Sequence, residues 1–398
     1  MSKLSHLGLY LGLGLFCLLA VGYVLFAGEF VTASDYKVPV YGNTGSTSPV
    51  VTEKAEVKPT ATHLPTPKPV KAIYMTSWVA STPSLREHVI KLIKDTEVNA
   101  VVIDVKDDTG KVSFTTDNPI IAKAGSSENR IKDLAGIIAQ LHQDNIYVIA
   151  RVATFQDPYL AKTRPDLAVL KAVDGSVWKD RKGLSWVDPG AQEVWAYVTT
   201  VGKEAYALGF DEINFDYVRF PSDGDLRNLT YPHSHLASTT RSAVIKNFFS
   251  YVRDTLGPLG VPLSADLFGM TTTAADDMNI GQIFENALPY FDYVSPMVYP
   301  SHYPPHFDGY ADPNKVPYEV VKYAMDSAVK RAIAASSSPD KIRPWLQDFD
   351  YPVTYTAADV RAQKKAVYDA GLTSWLMWDP SNTYTRAAYD SESLVVGQ

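Results

Sequence analysis

Asp216 lies in a segment, Gly209 to Pro221, that an ordinary apolar core strand would not use. By the two-residue period of a strand, Asn214 and Asp216 share one face. A carboxylate buried there is costly unless it is paired or hydrogen-bonded. The segment follows a long amphipathic helical stretch and runs into Arg219-Phe220-Pro221. A charged residue near the C-terminal end of such a strand points to catalysis when the strand belongs to an α/β barrel. Similar groups recur in other short apolar runs: Asp104 and Lys106, Arg151, Asp266, Tyr299, Asp348 and Trp378. A structural ion pair, such as Asp104 with Lys106 or Arg151, explains one or two of them. It does not explain six strands carrying polar groups at the same end. Some of the many aromatic rings could line a groove, because flat sugar faces stack well on them.

The elements that must position these groups begin at residue 72. Eight apolar runs follow one another: Ala72 to Trp78, Ala100 to Lys106, Tyr147 to Phe155, Glu212 to Phe220, Pro262 to Gly269, Tyr293 to Pro300, Ile342 to Phe349 and Thr373 to Pro380. Helical patterns separate them at Ser84 to Glu97, Ile131 to Asn145, Gln192 to Leu208, Arg241 to Leu256, Tyr318 to Ala335 and Ala357 to Ala370. The fifth connection is short. Ser84 and Glu87 have the spacing of a capping box, and Gly371 stands where a helix C-terminus wants glycine. Alternating strands and helices imply a parallel sheet, and eight units imply a (β/α)8 TIM barrel over residues 71–390. A doubly wound open sheet would usually show a glycine-rich turn after its first strand. Trp78-Val79-Ala80-Ser81-Thr82 has none.

Ahead of the barrel, Leu7 to Ala27 is an unbroken apolar run, preceded by Lys3 and His6. It is long enough to span a bilayer and longer than the core of a cleaved signal peptide. Residues 1–31 therefore read as a transmembrane signal anchor, with a cleaved signal and secretion as the alternative. Residues 32–70, rich in Pro, Thr and Ser, read as a disordered linker that cannot bury enough apolar area to fold. Residues 391–398 read as a tail. The barrel is then expected outside the cytoplasm, on a single-pass anchor in the cell membrane. Cys17 is the one cysteine and lies in the apolar run, so the barrel has no disulfide or thiol chemistry. With a net charge of −7 and no basic stripe, nucleic acid is not an expected partner.

Residues of about 71–390 resemble a bacterial family of glycoside-hydrolase-like barrels, distantly similar to the α-amylase superfamily. The resemblance is carried by Ala72-Ile73-Tyr74-Met75-Thr76, Asn99 to Lys106, Gly209 to Pro221 and Ser295-Pro296-Met297-Val298-Tyr299-Pro300. It implies glycosidic bond hydrolysis. In α-amylase-type enzymes the fourth strand carries a nucleophilic Asp, and Asp216 matches that position. Asn214 stands where those enzymes have Arg, and Asp266 on the fifth strand stands where they have the acidic Glu. The third carboxylate of that pattern falls to Asp348 or Asp350.

The expectation is a glycosidase acting on a poly- or oligosaccharide with Asp216 and Asp266 as catalytic residues. Asp104, Lys106, Arg151, Asn214, Arg219, Tyr299, Asp348 and Trp378 are the candidates for substrate binding. No metal or cofactor is called for. The alternative is a non-catalytic carbohydrate-binding barrel at the cell surface.

Overall fold

The computed structural model of the protein describes residues 61–391. The apolar run Leu7 to Ala27, most of the linker and the last residues of the tail lie outside the described residues. Among the described residues no helix is long and apolar enough to cross a membrane.

Eight parallel strands close on themselves: β1 Lys71–Met75, β2 Ala100–Lys106, β3 Tyr147–Ala153, β4 Glu212–Asp216, β5 Leu263–Phe268, β6 Tyr293–Met297, β7 Trp345–Gln347 and β8 Trp375–Trp378. Each pairs with the next in sequence. β8 closes on β1 through Lys71 with Trp375, Ala72 with Leu376 and Ile73 with Met377. Helices α1 Pro83–Lys94, α2 Leu134–Gln143, α3 Gln192–Ala207, α4 Arg241–Leu256, α5 Pro317–Ala334 and α6 Ala357–Asp369 connect the strands. Between β5 and β6 lie just two four-residue helical turns, Gly269–Thr272 and Phe284–Ala287. The expected TIM barrel is present.

Strand alternation builds two cores. Ile213 and Phe215 of β4 face the helices with Val101, Ile103, Val148 and Phe248. Tyr74, Val102, Tyr147, Ile149, Trp345 and Leu376 fill the barrel interior. Register then sets Asp104 beside Arg151, Arg151 beside Asn214, and Asn214 beside Ser264. Four neighbouring strands thus carry one polar layer.

Several expectations need correction. The strands end earlier than their apolar runs, because Ser77–Ser81 turns into a short helix directly after β1. α1 begins at Pro83 after Thr82, which makes no side-chain cap bond, so Ser84 and Glu87 are not a capping box there. A reciprocal box does exist at Thr356 and Asp359, at the start of α6. The last ten residues assigned to the linker are packed. The Leu64 amide donates to Asp211 Oδ1 at 2.6 Å, and Thr66 Oγ1 lies 3.0 Å from the Tyr147 hydroxyl. His63 stacks on Tyr206 at 4.0 Å, and Val70 is buried. Proline content suggested an extended chain there. That chain is extended, but it lies along the N-terminal face of the barrel, where backbone and side-chain polar groups find partners.

Candidate active site

The strands' C-terminal ends open into a mouth whose floor is charged. Arg151 reaches across from β3. Its Nε and Nη2 donate to Asp216 Oδ2 at 3.0 and 2.5 Å, and its Nη1 donates to Asp104 Oδ1 at 2.6 Å. Tyr74 donates its hydroxyl to the other Asp104 oxygen. Asp216 is the last residue of β4, and its Oδ1 accepts from the amide of Tyr217 at 2.6 Å. Tyr217 holds a φ of +54°, a left-handed backbone that a bulky residue rarely adopts. Such outliers cluster at functional sites. Here the turn ends the strand at the carboxylate and aims an amide at it.

Asp266 sits one strand further round. Its Oδ1 accepts from Asn214 Nδ2 at 2.9 Å and from Trp345 Nε1 at 2.8 Å. Asn214 also donates to Ser264 Oγ at 3.1 Å. Burial, and then the nearby charge of Asp216, push the Asp266 carboxyl well above the usual carboxylate range. Both donors converge on Oδ1, which leaves Oδ2 as the oxygen to carry a proton. Asp104 is pushed up to about 6 by burial, against the pull of Arg151. The guanidinium of Arg151 is held charged by Asp104 and Asp216 against its own burial.

Aromatic rings wall this floor. Trp378 stacks on Tyr74 at 3.9 Å and meets Trp345 edge-on at 5.5 Å, while Arg151 lies 5.0 Å from the Trp378 ring. Tyr299 packs edge-on against Phe349 and His302, and burial, then its nearness to Asp266 and Asp216, pushes its hydroxyl well above the usual phenol range. Arg219 lies over Trp186 at 4.9 Å and Tyr217 at 5.5 Å.

Thus Asp104, Arg151 and Asp216 form one bonded group and Asn214 and Asp266 a second beside it, with Tyr299, Trp378 and Arg219 around them. Two expected substrate contacts are elsewhere. Lys106 is fully buried outside the barrel wall, where its ammonium donates to the Ala153 carbonyl at 2.6 Å and pairs with Asp157 at 2.9 Å. The β2–β3 register shifts between Asp104 and Lys106, which turns Lys106 to the other face. Asp348 accepts from the Thr385 amide at 2.9 Å and from the Tyr389 hydroxyl at 2.8 Å, tying down the last segment of the chain.

Sequence reasoning missed Tyr74 and Trp345. Each is an aromatic with a polar tip at an inward position of its strand, and that alternation is the signal that could have found them.

The family described as "Putative glycosyl hydrolase domain" matches residues 72–384. A hypothetical protein from Ruminiclostridium thermocellum ATCC 27405 is 34% identical over 49% of this chain and 96% of its own, with a TM-score of 0.44. The glycoside hydrolase domain of PgaB (BpsB) from Bordetella bronchiseptica is 12% identical, with 81% of this chain and 99% of that chain covered and a TM-score of 0.58. Flavobacterium johnsoniae chitobiase is 10% identical, with 80% of this chain and 47% of that chain covered and a TM-score of 0.51. At such identities these two are likenesses of fold. No curated relative matches the chain. The family match runs from β1 to beyond β8, and the chain belongs to that family of glycosyl hydrolase domains, which places it among the glycosidases.

Proposed function

We propose that this protein hydrolyses a glycosidic bond of a poly- or oligosaccharide, with Asp216 and Asp266 as its two catalytic carboxylates. The observation that carries the reading is their opposite environments. Asp216 is clamped by two nitrogens of Arg151 and by a backbone amide. Asp266 is buried beside that charge, and burial and then Asp216 push its carboxyl well above the usual range. A carboxylate clamped by a cation, next to a second one whose carboxyl is pushed up, is the arrangement an acid and its charged partner require.

In the reaction, Asp266 gives its proton to the oxygen of the departing sugar as the bond to the anomeric carbon lengthens. Asp216 presents its negative charge to the oxocarbenium-like centre that forms. Arg151 fixes Asp216. Asn214 and Trp345 fix Asp266 through one oxygen and leave the other for the proton. The apolar run Leu7 to Ala27, with Lys3 before it, supports a barrel held outside the cytoplasm by the positive-inside bias.

The test is hydrolysis of a panel of soluble polysaccharides, with the released anomer followed by NMR. Asp216→Asn should abolish turnover by about 10³-fold or more. Inversion would make Asp216 the base for water, and retention the nucleophile. Equal turnover in wild type and Asp216→Asn would sink the assignment.

A further inference from the structure

Trp78 lies in the short helix that leaves β1, on the same face of the barrel as Asp216 and Asp266. It is 62% exposed, the highest of any Trp, Tyr or Phe among the described residues with large exposed apolar side chains. A single exposed apolar side chain is ordinary. What lies behind this one is not. The Arg130 guanidinium covers the indole at 4.4 Å and is itself only 5% exposed. It donates to Ser77 Oγ at 2.8 Å and to Glu128 at 2.8 Å, and it pairs with Asp107 after β2. One ring face is fixed on a buried, ion-paired cation and the rest of the ring is open to solvent.

A second exposed aromatic, Tyr351, follows β7 and is 52% exposed. The buried Gln347 side chain donates to its carbonyl at 3.3 Å and to that of Phe349 at 3.0 Å, and so holds the loop. In the closed barrel β8 lies between β1 and β7. The exits of three adjacent strands therefore carry Trp78, Trp378 and Tyr351. Trp378 is half-buried against Tyr74 over the charged floor, and the other two flank it on the rim.

We infer that Trp78 is an outer sugar-binding platform, and that the substrate is a polysaccharide chain that extends from the mouth over the β1 rim. The inference deepens the hydrolase reading and rests on it for the position of the cleaved bond. An indole with one backed face offers a flat apolar surface to the C–H face of a pyranose. The more exposed Glu128 carboxylate beside it offers a hydrogen-bond acceptor to the hydroxyls. Tyr351 offers the matching platform on the β7 side. Short glycosides that fill only the floor would not reach either ring.

The experiment compares wild type, Trp78→Ala and Trp78→Phe on amylose, pullulan, dextran, glycol chitin and hydroxyethyl cellulose, and on the corresponding aryl monoglycosides. Retention of the same polymers in affinity electrophoresis is measured in parallel. Trp78→Ala should lower kcat/KM on the hydrolysed polymer about tenfold, the loss expected for uncovering some 50–60 Å² of apolar contact. It should leave the aryl glycoside and the melting temperature unchanged, and Trp78→Phe should restore most of the loss. Hydrolysis of polymer at equal rates in wild type and Trp78→Ala overturns the platform and leaves the hydrolase reading standing. Trp78-dependent retention without hydrolysis keeps the platform and overturns the hydrolase reading. Neither retention nor hydrolysis of any polymer overturns both.

Discussion

At the N-terminal end of the barrel one carboxylate meets one guanidinium; at the C-terminal end three carboxylates meet one. The lower pair is Glu212 with Arg343 at 2.5 Å. Ser264 Oγ donates to Glu212 at 2.6 Å, the Tyr147 hydroxyl does so at 3.2 Å, and the Arg343 guanidinium lies 3.5 Å from the Tyr293 ring. Its charges cancel and its acceptors are filled. The upper cluster sets Asp104, Asp216 and Asp266 against Arg151 alone, and two of the three carboxyls are pushed up. Both clusters are buried in the same interior and share β3, β4 and β5, with Glu212 and Asp216 only two turns of the β4 pleat apart. Burial of charge is therefore not the mark of function here. The excess of one sign is, because it leaves a carboxyl that must keep its proton.

The largest effect that separates the two ends concerns the proton. Asp266→Ala should cost roughly 10²–10⁴-fold on a natural polysaccharide, whose leaving group needs a general acid. It should cost little on an activated aryl glycoside, whose leaving group does not. Equal losses on both would take Asp266 out of the acid role and remove the functional meaning of the charge excess.

At the other end, Glu212→Gln strands Arg343 as an uncompensated buried cation. Chemical denaturation should show a loss of about 3–5 kcal/mol, while turnover per folded molecule stays as in wild type. A drop in turnover without a drop in stability would erase the distinction between the ends.

Titration sharpens it further. Asp104 and Asp266 have folded pKa values above their unfolded values, so the folded chain binds more protons. Their contribution to stability is complete below the unfolded value of about 3.9 and is lost as pH rises through the folded one. For Asp104 that window runs from about 4 to about 6. Asp104→Asn should flatten the wild-type loss of stability across it by on the order of 2–3 kcal/mol. Melts at pH 4.5 and 6.5 that change by the same amount in both proteins would contradict this.

The smallest expected effect lies beneath the lower cluster. Thr66 shares the Tyr147 hydroxyl with Glu212, and Leu64 caps Asp211. A chain beginning at Val70 should be less stable than one beginning at residue 61 by about 1–3 kcal/mol, the net worth of a few hydrogen bonds. Identical denaturation midpoints would return these residues to the linker.

The strand–helix rhythm made the barrel legible in the sequence, because a strand that needs one apolar face against a helix announces its period. β2 from Ala100 to Lys106 and α4 from Arg241 to Leu256 have the bounds that rhythm predicts. The polar strand ends made Asp216, Asp266 and Arg151 legible as well. What the sequence does not carry is direction across the wall. Asp104 and Lys106 are two residues apart and should share a face, yet one joins the mouth and the other pairs with Asp157. Asp348 follows Gln347 on a strand of only three residues, and its side chain serves Thr385 and Tyr389 from a distant part of the chain. Partners far apart in sequence decided those positions. The same holds for residues 61–70, whose composition is that of a linker and whose contacts are those of a domain.

The shift of register in β2 has an electrical consequence. Had the strand kept its period, Lys106 would have delivered a second cation into the mouth beside Arg151. Two cations against three carboxylates would lower the field on Asp266 and favour its ionisation, and a protonated donor would be lost. The slip of one residue sends that ammonium through the wall to Asp157 instead. The irregular strand thus acts as a valve for charge: it keeps the mouth acidic by exporting a lysine.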